Sequence, residues 1–201
     1  MEDSGAFGQN GFRFSQTSKT TTMHTDCSYG DNRPDVISLF CVNPAAHGGI
    51  SQVCSIYRSM NVMRAEHPEM IETFLHDFYF HRRNTNLAGE ADVHKYRLLE
   101  LKGGQLSIRY KRPYMEFGHQ YAGIEMPVAA NRCFDELDRI SGSDAAAYSY
   151  ALKRGDCLIA NNMWVLHNRT DYQDADEAPP RLVIRHWLQF PRDERRQSLL
   201  M

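Results

Sequence analysis

Long apolar runs are missing from this chain. No stretch approaches the roughly 20 residues that a membrane-spanning helix needs, and the first residues lack the basic-then-apolar pattern of a signal peptide. Charge of one sign is scarce too: a formal net charge of −2 at pH 7 and a pI of about 6.5 leave no basic field for nucleic acid or anionic lipid. Cysteine is sparse, odd in number and without a Cys-x-x-Cys pair (Cys27, Cys41, Cys54, Cys133, Cys157), which excludes a disulfide scaffold or zinc ribbon and fits a reducing compartment. Gly-rich phosphate loops, internal repeats and coiled-coil heptads are absent. These absences predict a soluble, cytoplasmic, globular protein with neither a membrane nor a nucleic-acid partner. The length suits one domain over residues 1–201, with the Gly-, Ser- and Gln-rich residues 1–19 as a flexible or irregular arm.

What is present is a series of short strand-like runs. Residues 20–26 are Thr-rich and suit extended backbone. Asp35–Val42 is apolar and β-branched, as expected of a strand buried on both sides. Further strands are expected at Ile50–Ile56, Phe78–Arg83, Cys157–Ala160, Met163–His167 and Arg181–Phe190, with a hairpin around Lys102-Gly103-Gly104. Helical spacing marks Tyr57–Met63, Pro68–Phe78 and Val128–Ile140, the last with Cys133, Phe134, Leu137 and Ile140 inward. Asn84–His94 reads as a loop over the site, Tyr114–Met126 as a long aromatic loop, and Pro191–Met201 as a frayed tail. The pattern predicts a mainly β (α+β) fold, a β-barrel or jelly roll with a helical insertion.

Chemistry concentrates at three places. On an extended strand residues i and i+2 share a face, so His24 and Asp26 can reach one metal ion together. One imidazole and one carboxylate are two thirds of the two-His-one-carboxylate triad of non-haem Fe(II) oxygenases. Nine His and 25 acidic residues make one such pair unremarkable, and a second stands at His67-Pro68-Glu69, where Pro68 starts a helix and would keep the two side chains apart. His167, at the end of a strand-like run, would complete the first triad. Arg181 and Arg185 lie at i and i+4 of the last strand, sharing a face with Val183 and Trp187. Two arginines on an apolar strand are costly unless each meets an anion or carboxylate, and the guanidinium fork suits a carboxylate bidentately. Ser51 brings a hydroxyl onto the strand that follows Gly48-Gly49. Cys27 is expected on the opposite face as a small packed hydrophobe; His119, in the aromatic stretch, could approach substrate but is expected as a surface or core histidine.

Taken together and in order, His24-Thr-Asp26, Pro34-Asp35, Gly48-Gly-Ile-Ser51, Gly155-Asp-Cys-Leu-Ile-Ala-Asn161-Asn162, His167-Asn-Arg169 and Arg181-Leu-Val-Ile-Arg185-His-Trp187 resemble the motifs of one family. This is the taurine dioxygenase/clavaminate synthase-like family of Fe(II)- and 2-oxoglutarate-dependent oxygenases, and the resemblance spans about residues 20–190. It implies a double-stranded β-helix (jelly-roll) core, with Fe(II) held by the catalytic residues His24, Asp26 and His167. It further implies that Arg181 and Ser51 bind the far carboxylate of the cosubstrate 2-oxoglutarate, and that Arg185 meets the substrate. The implied reaction consumes O2, releases succinate and CO2, and hydroxylates, desaturates or cyclises a small carboxylate-bearing molecule such as an amino acid or natural-product intermediate.

Two alternatives stand beside this one: a catalytically degenerate jelly roll that binds a ligand or partner, and a cupin-type metal hydrolase or isomerase, which would need no paired strand arginines. Only 23 residues precede His24, fewer than the resemblance implies. A compact member, a covering partner subunit and a truncated sequence are all compatible with that, and homo-oligomerisation is left open.

Overall fold

The computed structural model describes residues 17–82 and 91–191. The strands are β1 (Val36–Asn43), β2 (His47–Gly48), β3 (Ser51–Ser55), β4 (Asp77–His81), β5 (Val93–Arg97), β6 (Leu99–Lys102), β7 (Gln105–Ile108), β8 (Ala147–Tyr150), β9 (Cys157–Asn161), β10 (Val165–Arg169), β11 (Tyr172–Gln173) and β12 (Leu182–Leu188). The helices are α1 (Ile56–Glu66), α2 (Arg112–Ala122) and α3 (Val128–Ser141), with a 3₁₀ segment at Pro68–Leu75. The fold is mainly β, and no helix among the described residues is long and apolar enough to cross a membrane.

Two three-stranded antiparallel sheets carry the site. One has the order β12-β1-β9 and the other β10-β3-β8; three two-stranded ladders, β11-β2, β4-β5 and β6-β7, complete the pairing. In the first sheet Leu39 stands opposite Arg185, and Ile37 opposite both Trp187 and Ala160. In the second, His167 stands opposite Val53 and Arg169 opposite Ser51.

Most of the buried apolar core lies on the helical side. Phe74, Phe134, Leu137 and Met63 from the helical elements pack with Phe78, Phe80, Leu98 and Ile108 from the hairpins, and Cys54 and Leu166 tie this cluster to the second sheet. The face of the first sheet that carries Phe40, Ile159, Ile184 and Leu188 is exposed instead. β1 is therefore buried on one side only, contrary to the expectation from its unbroken apolar run.

Several local expectations hold for identifiable reasons. The β6–β7 hairpin turns on Gly103 and Gly104, both at positive φ, as a two-residue turn between right-twisted strands requires. Helix α3 buries Cys133, Phe134, Leu137 and Ile140.

Others are corrected. Tyr114–Met126 is no long loop: α2 runs through most of it, with a proline at its start and Gly123 capping it in the left-handed region. Its buried face is Tyr114, Met115, Gly118 and His119, and a glycine and a histidine in the stripe hide the periodicity. Gly118 is required there, because a Cβ would lie 2.4 Å from the Tyr79 carbonyl oxygen. Pro68–Leu75 winds as 3₁₀ rather than α-helix. Residues 84–90 of the expected loop lie outside the described residues, while Val93 and His94 belong to β5. Residues 1–16 of the expected arm, and the tail beyond 191, also lie outside them. Residues 17–19 are not loose, since the Arg169 guanidinium donates to the carbonyls of Thr17, Ser18 and Lys19.

Candidate metal centre

His24 and His167 are cross-strand partners. The His24 amide donates to the His167 carbonyl at 3.0 Å and the His167 amide returns a bond to His24 at 2.9 Å, a single antiparallel bridge that sets the two rings 4.4 Å apart. Extended backbone is confined to that bridge, because residues 26–29 already turn. The turn still keeps Asp26 on the side of His24: its Oδ1 lies 3.6 Å from Nε2 of His24 and 3.6 Å from Nε2 of His167. All three residues are buried, and their donor atoms lie within 4.8 Å of one another.

The donor set fits a divalent metal. His24 Nδ1 lies 2.8 Å from the Thr22 carbonyl, so it carries the proton and leaves the Nε2 lone pair inward. His167 is buried with neither ring nitrogen hydrogen-bonded. An orphaned imidazole nitrogen facing a second imidazole and a carboxylate oxygen is costly in an empty core and satisfied by a metal ion.

The electrostatics keep the ligands in their metal-binding forms. Burial, with Lys111 and His167 nearby, pulls His24 down to about 3, so its ring is neutral at physiological pH. Burial pushes the Asp26 carboxyl upward, but the two histidines and the Arg185 guanidinium outweigh it and hold Asp26 well below the usual carboxylate range. Cys27, next in the chain, adopts φ 50° and is half-buried beside Tyr29; burial and the Asp26 charge push its thiol up to about 11, so it stays protonated.

Strand β12 supplies the cations. Arg185 Nη1 donates to Asp26 Oδ1 at 2.9 Å and to Oδ2 at 2.8 Å, and Trp187 Nε1 donates to Oδ2 at 2.9 Å. Arg181, on the same face, lines a small cavity of about 50 Å³ with Cys41, Gly48, Gly49, Leu152 and Val183. Its guanidinium rests on the Tyr172 ring, 5.2 Å from the centroid, and burial lowers its pKa. Among the described residues it makes no ion pair, so a cation stands ready in a partly buried cavity. Gly48 and Gly49 line that cavity and are tightly enclosed: a Cβ on Gly48 would meet the Asp171 carbonyl oxygen at 2.1 Å, and one on Gly49 would come within 3.2 Å of Arg181 Nε. Ser51 is buried two residues further on, at the start of β3.

A family model described as taurine catabolism dioxygenase TauD, TfdA family matches residues 5–187. The chain belongs to the TauD/TfdA dioxygenase family. Among its relatives, the FR-33289 synthase of Streptomyces rubellomurinus is 26% identical over 197 residues, covering 93% of this chain and 56% of the relative. The uridine-5′-phosphate dioxygenase of a Streptomyces species is 28% identical over 147 residues, covering 73% of this chain and 53% of the relative. The fold is shared with asparagine oxygenase, solved with Fe(II), a hydroxyasparagine and succinate, at TM-score 0.66 and 17% identity, over 86% of this chain and 50% of that one. It is also shared with the non-haem iron oxygenase OrfP, solved with Fe and α-ketoglutaric acid, at TM-score 0.63 and 16% identity, over 90% of this chain and 53% of that one. The chain thus spans about half the length of the relatives it matches.

Two residues that hold this TauD/TfdA site together were not among the sequence candidates. Asn162, fully buried, accepts from the Asp26 amide at 2.8 Å and donates to the Asp26 and Pro34 carbonyls at 3.0 and 2.9 Å, which fixes the backbone of the turn that presents the carboxylate. Arg169 straps residues 17–19 alongside β10. Both stood in quoted motifs, Asn161-Asn162 and His167-Asn-Arg169, but nothing local says that an amide will close on a turn 136 positions away. His119 faces the core, one of the two places expected of it, its Nε2 accepting from the Tyr79 amide at 3.3 Å. His67 and Glu69 approach each other after all, at 3.8 Å, and with Glu66 and Glu136 form a surface cluster whose two outer carboxylates are taken by Arg139.

Proposed function

We propose that this chain is the catalytic part of an Fe(II)- and 2-oxoglutarate-dependent oxygenase, a single jelly-roll domain of the cytoplasm acting on a small anionic molecule. The observation that carries this reading is the convergence of three buried donors, with His167 left without any other partner. His24, Asp26 and His167 would hold Fe(II), three ligands from one side, as an open triad requires. The bound metal supplies activation of O2 coupled to oxidative decarboxylation of 2-oxoglutarate to succinate and CO2.

The chain's own residues bind and orient. Arg181, without an ion pair among the described residues, receives the distal carboxylate of 2-oxoglutarate, with Ser51 adding a hydroxyl. Arg185 spends only Nη1 on Asp26, and among the described residues the rest of its guanidinium fork makes no hydrogen bond, which leaves it to take an acidic group of the substrate. Lys111, whose charge depresses His24, adds a second cation on that side. The names of the relatives fit this chemistry: one acts on a nucleotide phosphate, and asparagine oxygenase was solved with a hydroxylated amino acid.

The test is an anaerobic titration with Fe(II) and then 2-oxoglutarate, followed by the visible charge-transfer absorption of the chelate, with succinate release measured on admitting O2 and candidate acids. The expected result is absorption and succinate in the wild type, both lost in Asp26→Ala. Iron bound without either signal would leave a metal-binding barrel.

A further inference from the structure

The two oxygens of Asp26 are not equivalent. Oδ1 faces both imidazoles at 3.6 Å, and Oδ2 faces β12. Arg185 does not choose between them, because the same Nη1 bonds both. Trp187 does choose: its indole N–H reaches Oδ2 alone, at 2.9 Å. The indole is about half exposed, on an otherwise open strand, yet its one polar atom points inward at a carboxylate only 2% exposed. A free carboxylate rotates and can give a metal one oxygen or two. With the Trp187 indole added to the Arg185 bond that both oxygens share, Oδ2 accepts two hydrogen bonds and Oδ1 one, which fills the two lone-pair sites of Oδ2 and leaves one on Oδ1 for a metal.

We propose that Trp187 is a positioning residue that commits Oδ2 of Asp26 to the protein, so that Asp26 binds metal through Oδ1 only. This rests on the iron-binding reading of the site. One-oxygen ligation leaves coordination positions for a chelating cosubstrate and for O2; two-oxygen ligation takes one of them. Partners of metal-ligating carboxylates typically change metal affinity about 10- to 100-fold when removed.

Trp187→Phe keeps the ring and deletes the donor. Anaerobic titration with Fe(II) alone is expected to show affinity weakened about 10- to 100-fold, and the Co(II)-loaded variant to show an altered visible spectrum, with the melting temperature of the metal-free protein unchanged. Leu188→Ala, on the opposite face of the same strand, is the control and is expected to bind Fe(II) as the wild type does. A second measurement does not depend on the variant folding. In 15N-labelled wild-type protein titrated with Zn(II), the Trp187 indole proton, assigned with Trp164→Phe, is expected to shift and to exchange more slowly with water. Metal binding by wild type with an unmoved Trp187 resonance, or Trp187→Phe binding Fe(II) as tightly as wild type, overturns this inference and leaves the oxygenase reading standing. Failure of the wild type to bind either metal overturns both.

Discussion

The helical side of the molecule and the β12-β1-β9 sheet are built on opposite terms. On the helical side, Phe74, Phe80, Phe134 and Leu137 have no solvent exposure and pack into one continuous cluster. In the sheet, Leu182, Ile184, Leu188 and Ile159 are between 43% and 69% exposed. The candidate metal centre straddles the boundary. His24 and His167 are backed by the closed side through Met23, Cys54 and Leu166, whereas the groups that grip Asp26 from the front ride on the open strand. The division is chemically sensible. Metal ligands gain from a packed, low-dielectric support that holds them unprotonated, and cations that must receive anionic molecules need a route from water.

Breaking the closed side should give the largest effect on stability. Phe134→Ala is expected to cost about 3–5 kcal/mol, as for other large-to-small changes in filled cores, read from denaturant unfolding; a cost below about 1 kcal/mol would mean that the cluster is not the principal core.

On the open side the effect should fall on binding instead. Arg181→Ala is expected to raise the 2-oxoglutarate KM about 10- to 100-fold with little change in melting temperature, since hydrogen bonds to charged groups contribute about 1.5–3 kcal/mol. An unchanged KM would remove that assignment.

The boundary itself should respond to pH. His24 stays neutral in the folded, metal-free chain down to about 3, whereas the unfolded chain takes up that proton near pH 6.5. Between those values the unfolded state binds more protons, so stability is fully present above about pH 6.5 and falls as pH drops toward about 3. Asp26, also held below its ordinary value, adds a loss of the same sign at lower pH. Melting temperatures of chelator-treated protein that stay flat from pH 7 to pH 4 would contradict the burial of His24.

The smallest effect is expected at Ile159→Ser, within about 0.5 kcal/mol of wild type. A larger destabilisation would show that the exposed face is covered in solution.

Much of the site was legible one motif at a time. His24 and Asp26 are marked by their i, i+2 spacing, although the backbone turns at residue 26 instead of staying extended, and Arg181 and Arg185 by the cost of two guanidinium groups on an apolar strand. Gly103-Gly104 dictates its hairpin, and the spacing of Cys133, Phe134, Leu137 and Ile140 dictates α3. In each case the deciding groups lie within a few residues of one another, so propensity and alternation suffice. Helix α2 was hidden because its buried stripe includes Gly118 and His119, whose fitness for that position comes from the backbone of β4 packed against it.

What the amino-acid order determined alone is the chemical inventory: two imidazoles, one carboxylate, two strand arginines, and the local backbone that carries each. Tertiary structure decided how they meet. It paired His24 with His167 across a bridge, closed Asn162 on the Asp26 turn, and aimed both Arg185 and Trp187 at one carboxylate. The reason is physical. Local conformation follows from neighbours along the chain, whereas the grip on one carboxylate depends on segments more than 130 residues apart coming within hydrogen-bond distance.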